Sequence, residues 1–136
     1  PLRAVASQAL ISAARDGGGR VRPERFGAST EARMLRIYDT VIALLKLLGP
    51  VFDKIAERDP DLARQGRRAA SSIALNIAEG AGVRAGNRRS RYRTALGSAL
   101  EVRAVLDIAE ALGMAVVGAQ IPEMLRNVVG VLVKCT

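Results

Sequence analysis

The sequence contains no histidine, no tryptophan and a single cysteine, Cys135. The absence of histidine removes the commonest general base of enzymes and the commonest metal ligand. One cysteine cannot form a disulfide within the chain, so folding does not require an oxidising compartment. Aromatic residues make up only 3% of the chain, so any core must be aliphatic and rich in alanine. This composition favours closely packed helices over a β-sandwich.

Long hydrophobic runs are also missing from the sequence. No apolar run reaches the about 18 residues that a membrane-spanning helix needs, and no secretory signal pattern stands at the start. We therefore expect no membrane partner and a cytoplasmic location. The chain begins with Pro1 and not with Met, which indicates a fragment, a processed form or an engineered piece.

What the sequence does contain is an excess of arginine. Hydrophobic residues are 49% and charged residues 25% of the 136 residues, which is typical of one globular domain. The net charge is +8, and residues 62–103 carry nine arginines against only Glu79 and Glu101. Such a concentration of positive charge indicates a polyanionic partner.

Hydrophobic periodicity predicts that a first helix begins near Ser29 or Thr30. Its apolar residues recur at spacings of four and three and form a core seam with a second stripe beside it: Met34, Tyr38, Val41, Leu45, Leu48, Phe52 and Ile55, then Ile37, Leu44 and Val51. A helix this apolar is either central in a bundle or contacts another subunit with its outer face. Pro50 should kink or break it.

Three further helices follow from capping signals and apolar stripes. Asp59-Pro60-Asp61 predicts the start of helix two, and Gly80 its end. Asn87 or Ser90 should cap helix three, and Gly113 should end it. Helix four should begin near Ile121. Its β-branched run at residues 128–133 resembles a strand, but a single strand would have no partner in this chain.

The sequence thus predicts an all-α fold, an up-down antiparallel four-helix bundle formed by residues 29–136. Residues 1–28 form an N-terminal extension that is either flexible or a short helix, broken by Gly17-Gly18-Gly19. This extension is either an adventitious tail or a functional arm.

An arginine cluster between the second and third helices is the main candidate binding site. Positive charge at a helix N-terminus opposes the macrodipole, so local stability does not explain it, whereas a bound phosphate does. Repeated phosphates indicate nucleic acid. The alternative is a solvated face in an arginine-rich proteome. The candidate residues, including three on the exposed face of helix two, are Arg64, Arg67, Arg68, Arg84, Arg88, Arg89, Arg91 and Arg93.

Polar residues beside the apolar face of helix two form a second candidate group. Asn76 and Glu79 border that face, and Arg103 near the seam of helix three is a candidate partner. One glutamate could be a catalytic acid, but without histidine or a second clustered acid we interpret the group as structural. A di-iron bundle would need Glu-x-x-His motifs, so we expect no metal and no cofactor. The glycines at 80 and 82 match a dinucleotide fingerprint only formally, because no strand precedes them.

At these residues the chain resembles a known family. The run from Arg67 to Gly80, with its Ser-Ile-x-x-Asn-Ile-Ala-Glu-Gly core, and the run from Tyr92 to Val102 are similar to the 23S rRNA-intervening-sequence proteins. The accessory variability determinant of diversity-generating retroelements is a related group. The resemblance spans about Ala32 to Val133. Ala74 stands where the family often has proline, and Gly66 where a larger apolar residue is usual, which should cost about 1 kcal/mol relative to alanine.

The resemblance implies an up-down four-helix bundle that assembles into a ring, often a homopentamer, with a basic surface. For the retroelement relatives it also implies binding to a reverse transcriptase and nucleic acid, and it implies no catalytic residues. We therefore expect a non-enzymatic, oligomeric bundle that binds RNA or DNA, with RNA the expected partner, through arginine–phosphate contacts with little sequence specificity. The alternative is a protein-interaction scaffold, such as a reverse-transcriptase accessory subunit.

Overall fold

The computed structural model describes residues 27–82 and 85–136, and in these residues it contains four α-helices and no strand. The helices are α1 (Gly27–Ala56), α2 (Pro60–Ala81), α3 (Ala85–Ala111) and α4 (Gln120–Cys135). The predicted all-α fold class and the number of helices are confirmed for this part of the chain. The predicted N-terminal extension lies largely at residues 1–26, outside the described residues, while residues 27 and 28 already belong to α1.

One hydrophobic core joins the four helices. Both α1 and α3 pack against α2 and against α4. Ile37 and Leu44, from the second apolar stripe of α1, are 3% and 0% exposed. Burial of such a side chain stabilises the fold by about 1.5–3 kcal/mol. Neighbouring helices of the same chain therefore cover these two residues, while Leu45 and Val51 of the predicted stripes are half-buried.

Helix α1 continues through Pro50 to Ala56. The break predicted at this position is therefore wrong. Proline lacks the N–H that would bond to the carbonyl of Lys46. Val51 and Phe52, which follow directly, are half-buried and buried respectively. Apolar packing of the residues just after the proline thus offsets part of the cost of the missing hydrogen bond.

The start of α2 agrees with the capping signal in the sequence. The Asp59 carboxylate accepts a hydrogen bond of 2.9 Å from the backbone N–H of Leu62, and Pro60 occupies the first turn. This pairing satisfies one of the N–H groups that a helix start leaves without a partner, and it stabilises a fold by about 1 kcal/mol.

Two glycines of α2 allow close helix packing. A Cβ on Gly66 would overlap the ring of Phe52, and a Cβ on Gly80 would lie 2.5 Å from Cε1 of Tyr92. An alanine at position 66 would therefore clash with Phe52. The predicted cost of glycine relative to alanine considered helix propensity alone and not this contact. Gly80 is buried inside the helix and does not end it; α2 ends at Ala81, with Gly82 as the C-cap.

Helix α3 begins at Ala85, so Asn87 and Ser90 lie inside it and neither is its cap. Gly113 confirms the predicted end. It adopts a φ of +69°, and the Met114 N–H donates to the Ala109 carbonyl at 2.8 Å. This is the closing pattern of a helix that ends in a left-handed glycine.

Helix α4 confirms the interpretation of the β-branched run, since residues 128–133 are helical. Its inward face consists of the buried residues Ile121, Leu125, Val128 and Leu132. Among the residues described, no helix combines the length and apolarity needed to cross a membrane.

Candidate nucleic-acid interface

Three of the predicted binding arginines lie on the exposed side of α2. Arg64, Arg67 and Arg68 are all exposed, while Ala69, Ala70 and Ile73 face the core. Arg64 forms an ion pair of 2.8 Å with Asp61, and Arg67 one of 2.6 Å with Asp53 of α1. Local acids thus already balance part of the positive charge on this face.

Arg91 of α3 reaches the same side of the molecule. Its Nη1 lies 2.9 Å from Oε2 of Glu79 on α2, and both side chains are about half exposed, at 49% and 52%. An exposed pair of this kind contributes only about 0–1 kcal/mol. A phosphate group can therefore compete for the guanidinium of Arg91 at little cost to the fold.

A shallow depression brings these side chains together on the outer surface of α2 and α3. It is called the α2–α3 depression below, and it is lined by Arg67, Arg68, Ser71, Ser72, Leu75, Asn76, Glu79 and Arg91. Three guanidinium groups from two helices therefore surround one site. Guanidinium groups suit phosphate because they donate two parallel hydrogen bonds to its oxygens.

The polar floor of this depression links α2 to α3. Asn76 is 9% exposed, and its Nδ2 donates to the Ser72 carbonyl at 2.9 Å and to Ser72 Oγ at 3.0 Å. Ser98 of α3, which is also 9% exposed, donates to Ser72 Oγ at 2.8 Å. The contacts of Asn76 agree with a structural role for this residue.

One atom of this network is not satisfied. Asn76 Oδ1 is buried and has no hydrogen-bond partner in the described part of the chain. A buried acceptor left in this state costs about 1–3 kcal/mol. Such an atom in the floor of an arginine-lined depression is unusual, because most buried polar groups are paired.

The proposed pairing of Arg103 with these residues is wrong. Arg103 lines a separate groove between α3 and α4, together with Asp107, Glu110 and Arg126. Glu79 pairs with Arg91 instead. Positions 91 and 103 are twelve residues apart, about 18 Å along a helix, so both arginines cannot reach Glu79.

Four further predicted arginines, Arg64, Arg88, Arg89 and Arg93, do not line the depression. Residues two apart on a helix lie about 200° apart around its axis, so Arg89 and Arg93 are on the side of α3 roughly opposite Arg91. Both are exposed, and Arg88 is half-buried at the start of α3. Arg84 lies outside the described residues. Tyr92 is 3% exposed and packs on Gly80, which favours the core role over stacking on a base.

The sequence reasoning missed Ser72 and Ser98 as site residues, and it missed Arg91 as the partner of Glu79. A signal was present, because Ser72, Asn76 and Gly80 are four residues apart and share one ridge of α2.

The sequence reasoning also missed an apolar stripe on the solvent side of α3, called the α3 stripe below. Its members are all exposed: Gly97, Leu100, Ala104, Ile108 and Ala111.

Three guanidinium groups give the α2–α3 depression hydrogen-bond donors of the kind that an anion requires. No group of three or more potential metal ligands occurs within residues 27–82 and 85–136.

The lone cysteine, Cys135, is half-buried near the end of α4, where burial raises the pKa of its thiol and the charge of Arg33 opposes that shift. A raised thiol pKa makes this cysteine a weaker nucleophile at neutral pH.

Comparison with known proteins gives one clear relationship. The family model of the 23S rRNA-intervening sequence proteins matches residues 33–130, which covers α1 from its second turn to the middle of α4. No protein of curated function and no solved structure shows a significant match. A match over well over half of the sequence shows the family, so the chain belongs to the 23S rRNA-intervening sequence proteins.

Proposed function

We propose that this protein is a non-enzymatic helical bundle that binds RNA or DNA through its arginine surface. The observation that carries the proposal is the convergence of Arg67, Arg68 and Arg91 on the α2–α3 depression. Arginine contacts to phosphate position a nucleic acid without reading its bases, so sequence specificity should be low. The net charge of +8 adds a long-range attraction for a polyanion.

The ion pairs at this surface are compatible with binding. Arg67 with Asp53 and Arg91 with Glu79 are both exposed pairs. Such pairs hold their guanidinium groups near the depression but contribute little free energy. When a phosphate replaces the carboxylate partner, the arginine exchanges one anion for another.

A salt series tests this function. Affinity for a single-stranded oligonucleotide should fall steeply between low and high salt, because each neutralised phosphate releases counterions. In the variant Arg67→Ala/Arg68→Ala/Arg91→Ala, the affinity should drop and the slope against log salt should become shallower by about 2–3. Fluorescence anisotropy measures both quantities.

The matched control removes the same charge elsewhere. Lys46, Lys54 and Lys134 are exposed and do not line the depression. The variant Lys46→Ala/Lys54→Ala/Lys134→Ala should keep most of the affinity and most of the salt slope. Equal losses in the two variants would show a general charge effect and not a site. No binding by the wild type at low salt would disprove the function.

We also propose that the four helices form an up-down antiparallel bundle. Gly80 contacts Tyr92 and Ser72 contacts Ser98, so residue numbers rise along α2 where they fall along α3. This order of contacts supports an antiparallel arrangement of the two helices. The side chain of Arg58, between α1 and α2, donates to the Gly113 carbonyl, between α3 and α4, at 3.2 Å. The two connections are thus neighbours at one end, as this topology requires.

Assembly into a ring-shaped homo-oligomer, such as a pentamer, belongs to the same proposal. The support comes from the α3 stripe and not from α1, whose large apolar residues are buried or half-buried from Met34 onward. Leu100 and Ile108 are 47% and 44% exposed on one side of α3. An apolar helix face of this length is typical of a surface that another protein covers.

The alternative function is a protein-interaction scaffold in the cytoplasm, such as an accessory subunit of a reverse transcriptase. The α3 stripe favours this alternative as well, because a polymerase partner could cover it. The relationship to the accessory proteins of diversity-generating retroelements is part of this alternative. Binding to an acidic protein but not to an oligonucleotide, with the same arginines required, would favour the scaffold.

A further inference from the structure

The floor of the α2–α3 depression offers a hydrogen-bond donor to an anion. Ser72 Oγ accepts hydrogen bonds from Asn76 Nδ2 at 3.0 Å and from Ser98 Oγ at 2.8 Å. These two bonds use both lone pairs of the hydroxyl, so its own hydrogen remains to be donated. An oxyanion above Ser72 would receive this hydrogen in addition to the guanidinium hydrogens of the rim.

The same floor offers an acceptor beside that donor. Asn76 is 9% exposed and lines the depression, and within the described residues its Oδ1 has no hydrogen-bond partner. A phosphate cannot satisfy this oxygen, because both are acceptors. The group that fits is a hydroxyl or an amine carried close to the anion.

A ribonucleotide carries this combination. Its 2′-hydroxyl is both donor and acceptor and lies next to the phosphodiester, and it is the group by which proteins distinguish RNA from DNA. We propose that the α2–α3 depression is a ribonucleotide subsite. It holds a phosphodiester over Ser72 and receives the neighbouring 2′-hydroxyl on Asn76 Oδ1. This inference rests on the function proposed above and adds to it a preference for RNA.

The long side chains at the rim give the ligand access. Oδ1 is buried in the unbound chain, so a ligand reaches it only after a side chain moves. Arg67, Arg68 and Arg91 are exposed and are the movable side chains of the depression. In this proposal, their guanidinium groups turn to the phosphate and uncover Oδ1 for the 2′-hydroxyl.

Three oligonucleotides of one sequence test the proposal on the unchanged protein. They are single strands of about 12 nucleotides, within the usual range of single-strand binding sites. One is RNA, one is DNA with deoxyuridine in place of thymidine, and one is fully 2′-O-methylated RNA. We expect RNA to bind about fivefold or more tightly than DNA, the effect of one hydrogen bond. The 2′-O-methyl strand, which lacks the donor, should bind like DNA.

The outcomes separate this inference from the proposed function. Equal affinity for RNA and DNA would overturn the ribonucleotide subsite and leave nucleic-acid binding intact. The same holds if the 2′-O-methyl strand binds as tightly as RNA. No binding of any strand at low salt would overturn both.

Two variants locate the effect. Asn76→Ala should abolish the preference for RNA while its affinity for DNA stays within about twofold of the wild type, since the arginines are unchanged. Asn127→Ala, at an exposed asparagine of α4 that does not line the depression, should keep the preference. A preference that survives in Asn76→Ala would place 2′-hydroxyl recognition elsewhere and overturn the proposal. If this variant does not fold, as circular dichroism would show, the 2′-O-methyl comparison decides.

Discussion

Gly80 of α2 packs directly against the ring of Tyr92 in α3, and a Cβ at Gly80 would lie 2.5 Å from Cε1 and 2.9 Å from Cδ1 of that ring. Both residues are buried, so the ring has little room to move. Gly80→Ala should therefore destabilise the fold by about 1–3 kcal/mol, although alanine is the better helix former. Urea unfolding followed by circular dichroism measures the change.

The matched control for this substitution is Gly130→Ala. Gly130 also lies in a helix, α4, but it is exposed, lies outside the α3 stripe, and a Cβ there would meet nothing within 4 Å. This change should leave stability unchanged or raise it by about 0.5–1 kcal/mol. Similar effects from both substitutions would mean that the contact with Tyr92 does not determine the choice of glycine.

Gly66 and Phe52 form a second pair of this kind, between α2 and α1. Gly66→Ala should destabilise the fold by about 1–3 kcal/mol, because the added methyl overlaps the aromatic ring. Replacing the ring should relieve the overlap, so Gly66→Ala should cost less in a Phe52→Leu background. A double-mutant cycle measured in urea tests this coupling, and additive effects would contradict it.

The Asp59 cap predicts a third stability effect. Its carboxylate accepts a hydrogen bond from the Leu62 N–H at 2.9 Å. Asp59→Ala should lower the free energy of unfolding by about 1 kcal/mol, whereas Asp59→Asn, which keeps an oxygen acceptor, should stay near the wild type. A shift in the urea midpoint reports each change. Equal losses would show that the charge and not the hydrogen bond matters.

Removal of the Glu79 charge should strengthen oligonucleotide binding, whereas removal of the arginine charges should weaken it. Its carboxylate holds Arg91 at 2.9 Å and also repels a phosphate at the α2–α3 depression. Glu79→Gln should therefore increase affinity for an oligonucleotide about two- to fivefold at low salt, with a stability change within about 1 kcal/mol. Glu57→Gln removes another exposed carboxylate, the partner of Lys54, away from the depression and should have a smaller effect. A loss of affinity in Glu79→Gln would mean that the carboxylate positions Arg91.

The α3 stripe predicts the effect of added charge on self-association. Leu100→Lys and Ile108→Lys should each reduce the oligomer to smaller species, because a lysine there cannot be covered without loss of hydration. Leu75→Lys, at a leucine of α2 that is 52% exposed, is the control and should leave the mass unchanged. Light scattering after gel filtration measures the mass. A wild-type monomer at micromolar concentration would contradict the oligomer.

The helices themselves could be predicted because their signals are local. Apolar spacings of three and four located the core faces, and Asp59 and Gly113 marked the start of α2 and the end of α3. The prediction that Gly80 ends α2 was wrong for a physical reason. A glycine near the end of an apolar stripe looks the same whether it stops a helix or admits a neighbouring ring, and only the tertiary contact decides.

The candidate site was predicted less completely, because arginines that are close together in the sequence were assigned to one binding site. The direction of a side chain depends on whether its residue is helical. With α3 beginning at Ala85, Arg91 faces α2 while Arg89 and Arg93 point away. The hydroxyl of Ser98 could not be assigned to the site, since its contact with Ser72 crosses 26 positions.

The ridge formed by Ser72, Asn76 and Gly80 has a consequence for the evolution of the family. Ser72 bonds to Ser98, and Gly80 admits Tyr92, so each motif position of α2 depends on a particular residue of α3. Substitutions at these positions should be accepted in pairs. In an alignment of relatives, a side chain larger than glycine at position 80 should accompany a smaller one at position 92. The residues of the family motif would then change together with their contact residues in α3, because they form one interface between the two helices.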